Sequence, residues 1–268
     1  MRTRCRVPAV AAAVLAAAAA VTRSEEPNAR AAARGALARH ADAVITVRLT
    51  VKNRVVFQGR ERNNSDSTLE IAGTILTPAG LTVVSDFSSN PSGLFTPSGD
   101  GPRVETETTD VKLLLRDGRE LPARFVLRDR DLDLAFLLPR EEGLPLPHLS
   151  LEKGPVPEPL DDVFFLYPMG RSLNREVAVA LARVRAVVRK PRTFVVSDFL
   201  EAFQSLGCPA FDGSGRAVGL VVLRRAPGAP AGQSSPRDFL DFFSPVVLTA
   251  ADVQEVAAQA VAPRGDTR

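Results

Sequence analysis

Turn residues cut most of this chain into short apolar runs, and that punctuation constrains the fold more than any other feature. From residue 44 onward, runs rich in Val, Ile, Leu, Thr and Phe are separated by Gly, Pro, Asn and Asp, and helical spacing appears only near the two ends. Short strands at regular spacing with few central helices indicate an all-β barrel or sandwich. Strands are expected at 44–51, 55–58, 68–76 and 81–84,. The runs 113–116 and 121–127 make a hairpin across Asp117-Gly118, read as a two-residue turn, and 132–138 closes a first half,. Residues 139–160 hold six prolines and read as a linker, after which strands resume at 163–166, 176–188, 193–196, 218–223 and 242–247. Residues 27–43 spell a short Ala- and Arg-rich helix, expected as a lid on the body. Residues 249–260 spell another, with Thr249 as N-cap and Asp252 in its first turn,. The stretch 87–109 is polar, and so long a loop in a compact domain is usually functional or disordered,.

A 45% hydrophobic content over 268 residues is enough for a sizeable core, and all-β domains of this length are ordinary. Met1-Arg2-Thr3-Arg4-Cys5-Arg6 is a basic start, an apolar run extends from Val7 to Val21, and charge returns at Arg23-Ser24-Glu25-Glu26. That is the pattern of a cleavable secretory signal over residues 1–22, cut near Ala20 or Val21,. The run is shorter than the roughly 18 apolar residues that a membrane span needs. A periplasmic or extracellular location is expected. Residues 1–22 hold three arginines and no acid, so the exported chain carries 31 bases against 31 acids and the net charge of +3 disappears. No basic stripe is interleaved with aromatics, so a nucleic-acid partner is not expected. Cys5 leaves with the signal and Cys208 stands alone, which rules out an intrachain disulfide in the exported protein,. The two histidines, His40 and His148, belong to no Cys/His cluster, so no metal is expected,. No glycine-rich phosphate loop calls for a cofactor.

The sharpest motif is Gln204-Ser205-Leu206-Gly207-Cys208-Pro209-Ala210-Phe211, followed by Asp212-Gly213-Ser214-Gly215 and the run Ala217-Val218-Gly219-Leu220. Upstream stand Ile71-Ala72-Gly73-Thr74-Ile75-Leu76, then Gly80-Leu81-Thr82-Val83-Val84-Ser85-Asp86-Phe87, then Asp131-Leu132-Asp133-Leu134-Ala135-Phe136-Leu137. In this order the blocks resemble the trypsin-like serine proteases, in particular the HtrA (Deg) branch. That branch has Gly-Asn-Ser-Gly-Gly-Pro-Leu around its nucleophile and a Gly-Ser-Gly-Phe-Ile-Ile strand before its histidine. Its aspartate sits in an Asp-Leu-Ala-Leu type of run. The resemblance covers most of residues 43–250 and implies two antiparallel β-barrels with a cleft between them. It divides the chain into a helical lead at 23–42 and a peptidase domain at 43–262. Within that domain it places a first barrel at about 43–138, the linker at 139–160, a second barrel at about 161–248 and a C-terminal helix at 249–260. Ending near that helix, the chain is expected to lack the PDZ domain that many HtrA proteins append.

The same alignment removes the chemistry. Phe87 stands at the histidine, Asp133 at the aspartate and Leu206 at the nucleophilic serine. Acyl transfer needs a hydroxyl, a base and an acid that orients the base; phenylalanine accepts no proton and leucine offers no hydroxyl. Gln204 and Cys208 replace glycines of the loop, and the oxyanion hole suffers with them. Ser205 neighbours the lost position but lacks a base, and Cys208 reads as a small buried hydrophobe. Ser197 and Asp198 read as a structural turn, and Ser214 as solvated. In the plainest reading Phe87 and Leu206 fill space that a polar pair vacated, and Asp133 is one acid among Arg128, Arg130 and Asp131 on a solvated surface. The expected function is an exported pseudoprotease that binds a peptide or protein by backbone pairing. Its binding residues would be the former oxyanion loop Gln204, Ser205, Leu206 and Gly207, with a groove wall of Val195, Ser197, Val218, Gly219 and Leu220. Two other readings stay open: an active serine endopeptidase using His40 or His148 as its base, and a structural subunit of an envelope complex.

Overall fold

The structure is a computed structural model that describes residues 26–57, 60–90, 103–141, 143, 145–199, 201–226 and 242–262. The expected signal over 1–22 and the centre of the 87–109 loop lie outside the described residues. Helix α1 (Glu26–His40) tightens into a 3-10 turn at Ala41–Ala43 and leads into β1 (Val44–Phe57). Then follow β2 (Arg60–Ile75), β3 (Thr82–Ser85), the one-turn α2 (Asp86–Ser89), β4 (Arg103–Leu114), β5 (Glu120–Asp129) and β6 (Leu134–Pro139). The second half contains β7 (Asp162–Pro168), β8 (Val177–Val188), β9 (Phe194–Ser197), β10 (Pro209–Asp212), β11 (Ala217–Arg225), β12 (Phe243–Thr249) and α3 (Ala250–Val261). The strands close two antiparallel barrels, in the orders β1-β2-β3-β6-β5-β4 and β10-β11-β12-β9-β8-β7.

Alternation explains the first barrel. On β1, Ile45, Val47, Leu49 and Val51 point inward and share one core with Ile75, Val84, Leu113, Ala135 and Leu137,. Strands β3 and β6 are apolar on both faces because both are covered. Val84, Ala135 and Leu137 fill the barrel, whereas Val83, Leu134 and Phe136 join the core of the second half. This double burial fuses the barrels, and each buried Phe or Leu contributes about 1.5–3 kcal/mol. Strand β7 is covered twice as well. Phe164 stacks on Phe211 at 5.1 Å, and Phe165 on its opposite face stacks on Phe199 at 4.4 Å. Helix α1 lays Ala29, Ala33 and Ala36 toward the body and contacts β7 and β8, as a lid should.

Several expectations need correction. The runs expected at 44–51 and 55–58 are one strand, since β1 pairs with β2 from Val44 to Phe57. Residues 103–109, read as loop, are the first half of β4, paired along β1. The hairpin turn has three residues, not two. Leu115 N–H bonds Arg119 O at 2.9 Å around Arg116-Asp117-Gly118, and Gly118 takes φ +87°, the left-handed position of a type I turn with a bulge. Strand β10 was not foreseen. The 139–160 segment is tied to the first barrel: Leu146 N–H bonds Pro78 O and Leu149 N–H bonds Ile75 O. Helix α3 begins as expected, with Thr249 Oγ1 accepting the Asp252 N–H at 3.3 Å. Among the described residues, no helix is long and apolar enough to cross a membrane.

Candidate functional site

Asp133 sits in the turn between β5 and β6 at φ +58°, a left-handed conformation that Asp tolerates better than most residues. Its side chain points into the seam between the barrels, and the residue is only 4% exposed. Oδ1 accepts the Phe87 N–H at 2.7 Å, Oδ2 accepts the Leu223 N–H at 2.7 Å, and the Ser85 hydroxyl lies 2.9 Å from both oxygens. The solvated-surface reading of Asp133 is therefore overturned: neutral donors, two of them backbone, hold a buried acceptor. Burial outweighs these hydrogen bonds and pushes the carboxyl up to about 6,.

Ser85 organises the neighbouring corner. Its Oγ also accepts the Ser88 N–H at 3.1 Å and so caps α2, the turn that carries Phe87,. Arg128 Nη1 clamps the same turn through Asp86 Oδ1 at 2.5 Å and Ser89 Oγ at 2.8 Å. The Phe87 ring packs against the seam core.

Leu206 ends the 3-10 turn Ala202–Ser205 and is 2% exposed. Gly207 follows at φ +89°, and it must be small as well as left-handed: a Cβ there would lie 3.1 Å from Ala72 O and Val84 Cα and 3.2 Å from Ser85 N,. Thr74 Oγ1 donates to Gly207 O at 2.8 Å and ties the loop to β2. Asp133 thus bonds Ser85 and Phe87, while the loop of Leu206 abuts Ser85. The three aligned positions meet at one corner of the seam.

The donors of the preceding turn are used within it. Gln204 N–H, at the family's first oxyanion donor, bonds Glu201 O at 3.0 Å, and the Ser205 hydroxyl donates to the same carbonyl at 3.1 Å. Cys208 is fully buried, which raises its thiol pKa and keeps it protonated,. His40 is no base for a serine here: its ring stacks on Phe211 at 5.8 Å, its Nδ1 is buried without a partner among the described residues, and burial lowers its pKa. Among the described residues, His148 Nδ1 meets Leu146 O. Asp198 accepts the Arg183 N–H and Ser214 bonds Asp212, so both are structural.

The groove wall is placed elsewhere. Gly219 and Leu220 pair on one side with β10 and on the other with β12, so they offer no free edge. A Cβ on Gly219 would lie 1.8 Å from Leu248 O. Val195 and Val218 line a different cavity, beside the linker and the start of α3, and Ser197 ends β9. The cleft at Leu206, about 460 Å³, is walled instead by Thr46, Thr68, Glu70, Ile71, Ala72 and Ser88 on one barrel and by Pro168–Arg171, Phe203 and Gln204 on the other. Of this lining the sequence named Gln204 and Leu206; the Ile71-Ala72 motif was read for the fold, and Thr46, Thr68, Glu70 and Arg171 carry no motif that points to a cleft. Reading the sequence also missed Ser85 as the organiser, although that residue lies two positions before Phe87.

A family model for the trypsin-like peptidase domain matches residues 72–220, more than half of the chain and all three aligned blocks. The chain belongs to the trypsin-like peptidase family. Solved structures of HtrA-type proteases share its architecture. The HtrA-type protease AlgW with a decapeptide matches at 16% identity and TM-score 0.56, covering 85% of this chain and 67% of that one. A variant of AlgW with a tripeptide gives 16% and 0.56, covering 86% and 64%. This trypsin-like peptidase homologue thus spans about two thirds of the length of the structures it resembles, and the likeness shows the fold. Among curated proteins, no sequence matches it.

Proposed function

We propose that this trypsin-like peptidase homologue is exported, does not hydrolyse peptide bonds, and holds a peptide or protein segment in the cleft beside Leu206. One observation carries the reading. The Asp133 carboxylate receives a backbone N–H from Phe87, the residue aligned with the base, and among the described residues His40 and His148 bond and stack elsewhere. Beside it, the nucleophile's place holds a buried leucine. With no base at the Phe87 position and no hydroxyl at the Leu206 position, an acyl-enzyme cannot form on the aligned triad. The bound Gln204 N–H further weakens any oxyanion site,. Peptide binding draws support from the open cleft and from the peptides named with the AlgW structures; export draws support from the pattern of residues 1–22.

A fluorophosphonate probe tests the chemistry. We expect no labelling above a denatured control, and no release of fluorescence from labelled casein. Stoichiometric labelling that disappears when a single serine is replaced by alanine would overturn the inactive reading. N-terminal sequencing of the protein recovered from its cells checks export, with a start near residue 21–23 expected.

A further inference from the structure

The cleft at Leu206 has an uneven charge, and the unevenness is built in. Glu70, on β2, is the hub. Arg175 reaches it with Nε and Nη2, both at 2.8 Å, Arg171 with Nη2 at 2.9 Å, and Arg48 with Nε at 3.3 Å. One carboxylate faces three guanidiniums. The nearest further acid, Glu120, is shared between Arg48 at 2.8 Å and Lys112 at 3.3 Å. Glu176 is engaged by Arg116 at 2.6 Å. The cluster of Arg48, Lys112, Arg171 and Arg175 against Glu70 and Glu120 therefore keeps two positive charges in excess.

Arg171 brings that excess to the cleft. It lines the cavity together with Glu70, and its side chain is 67% exposed. Among the described residues, its guanidinium is bonded to Glu70 Oε1 alone, through one N–H of five,. The backbone holds it there: a 3-10 turn at Arg171–Leu173 is followed by Asn174 and Arg175 at φ +53° and +56°. Two successive non-glycine residues in the left-handed region persist only where the surroundings fix them, and here Arg175 is fixed on Glu70.

Beside this cation the cleft is apolar. Ile71, Met169, Phe203 and Leu206 line it, and Phe203 is 37% exposed despite its size. Along the same wall, Thr68–Ala72 of β2 pair with β1 on one side only, since β3 joins β2 from Gly73 onward. Among the described residues that edge has no strand partner. An extended segment added there would place alternate side chains on alternate sides.

We propose that the cleft selects an acidic peptide, with a carboxylate side chain on Arg171 and an apolar neighbour on Phe203 and Leu206. This rests on the peptide-binding reading above and adds the chemistry of the ligand. An anionic acceptor satisfies guanidinium donors that a neutral side chain leaves to water, and charge-assisted hydrogen bonds are the stronger class.

The test is fluorescence anisotropy with two fluorescein-labelled heptapeptides, one alternating glutamate and leucine, the other glutamine and leucine. The acidic peptide should bind about tenfold more tightly at low salt, and the advantage should shrink as NaCl is added. Arg171→Gln should abolish the advantage; Arg171→Glu should reverse it toward a lysine–leucine peptide. Arg171 is exposed, so circular dichroism should find both variants folded. Equal binding of the two peptides, or an unchanged preference in both variants, would sink the acidic selection while leaving peptide binding intact. Binding of neither peptide would remove both. Fluorophosphonate labelling would overturn only the inactive reading.

Discussion

Asp133 and Glu70 are both carboxylates at the seam between the barrels, and their surroundings drive them in opposite directions. Asp133 is buried, has no cation against it among the described residues, and is held by two backbone N–H groups and one hydroxyl; its pKa rises to about 6. Glu70 lies nearer the surface with three guanidiniums around it, of which Arg175 contributes most, and its pKa falls to about 2. Each links the halves, Asp133 to Leu223 of β11 and Glu70 to Arg171 and Arg175 beyond β7. The lesson is that an ion pair is not needed to staple two barrels, nor is it the stronger device. A desolvated acceptor with oriented donors is costly to keep charged and costlier to remove, because its donors are then buried unpaired.

The largest effect should come from Asp133→Ala, which strands the Phe87 and Leu223 N–H groups and the Ser85 hydroxyl. A loss of about 2–4 kcal/mol is expected, read from urea unfolding. A loss under half a kcal/mol would mean that water or a shifted neighbour replaces the carboxylate. The pH response should follow in size. The folded protein holds a proton on Asp133 more tightly than the unfolded chain does, so stability should fall as pH rises from about 4 to about 6. A shift from 3.8 to about 6 corresponds to about 3 kcal/mol over that window. Asp133→Asn has no such titration and should lack this fall, so its stability relative to wild type should rise by that amount across the window. A wild-type curve that rises with pH there would contradict the assignment.

The fold was readable because its punctuation is local. Gly118, Pro139 and the apolar run Leu134-Ala135-Phe136-Leu137 each announce a turn, a strand end or a strand covered on both sides. Gly73, Gly207 and Asp133, too, sit in runs whose spacing the barrel enforces. What could not be read is whatever depends on contacts across the seam. Asp133 among Arg128, Arg130 and Asp131 looks like any surface acid until Leu223, ninety residues away in sequence, donates to it. Glu70 and Arg175, 105 positions apart, share no pattern at all. Residues 103–109 resembled a loop because they are mostly polar, and only their pairing along β1, distant in sequence, makes them a strand.

The smallest effect separates the two staples most sharply. Glu70→Gln keeps an acceptor for Arg175 but removes the charge, and about 1 kcal/mol of stability should go with it. The figure is small because the side chains of Arg48, Arg171 and Arg175 are 27%, 67% and 28% exposed, and water takes up what the carboxylate releases,. Its pH signature has the opposite sign. A folded pKa of about 2 lies below the unfolded value of 4.5, so the contribution is present above about 4.5 and disappears as pH falls toward 2. The variant should therefore converge with wild type in acid, and also in high salt, where screening weakens the partly exposed pairs. Asp133 has no counter-charge to screen, so Asp133→Ala should cost the same at 0.05 and 0.5 M NaCl. If the Glu70 variant were instead the costlier of the two and insensitive to salt, the ion-pair hub would be the principal clamp and the buried acceptor the minor one.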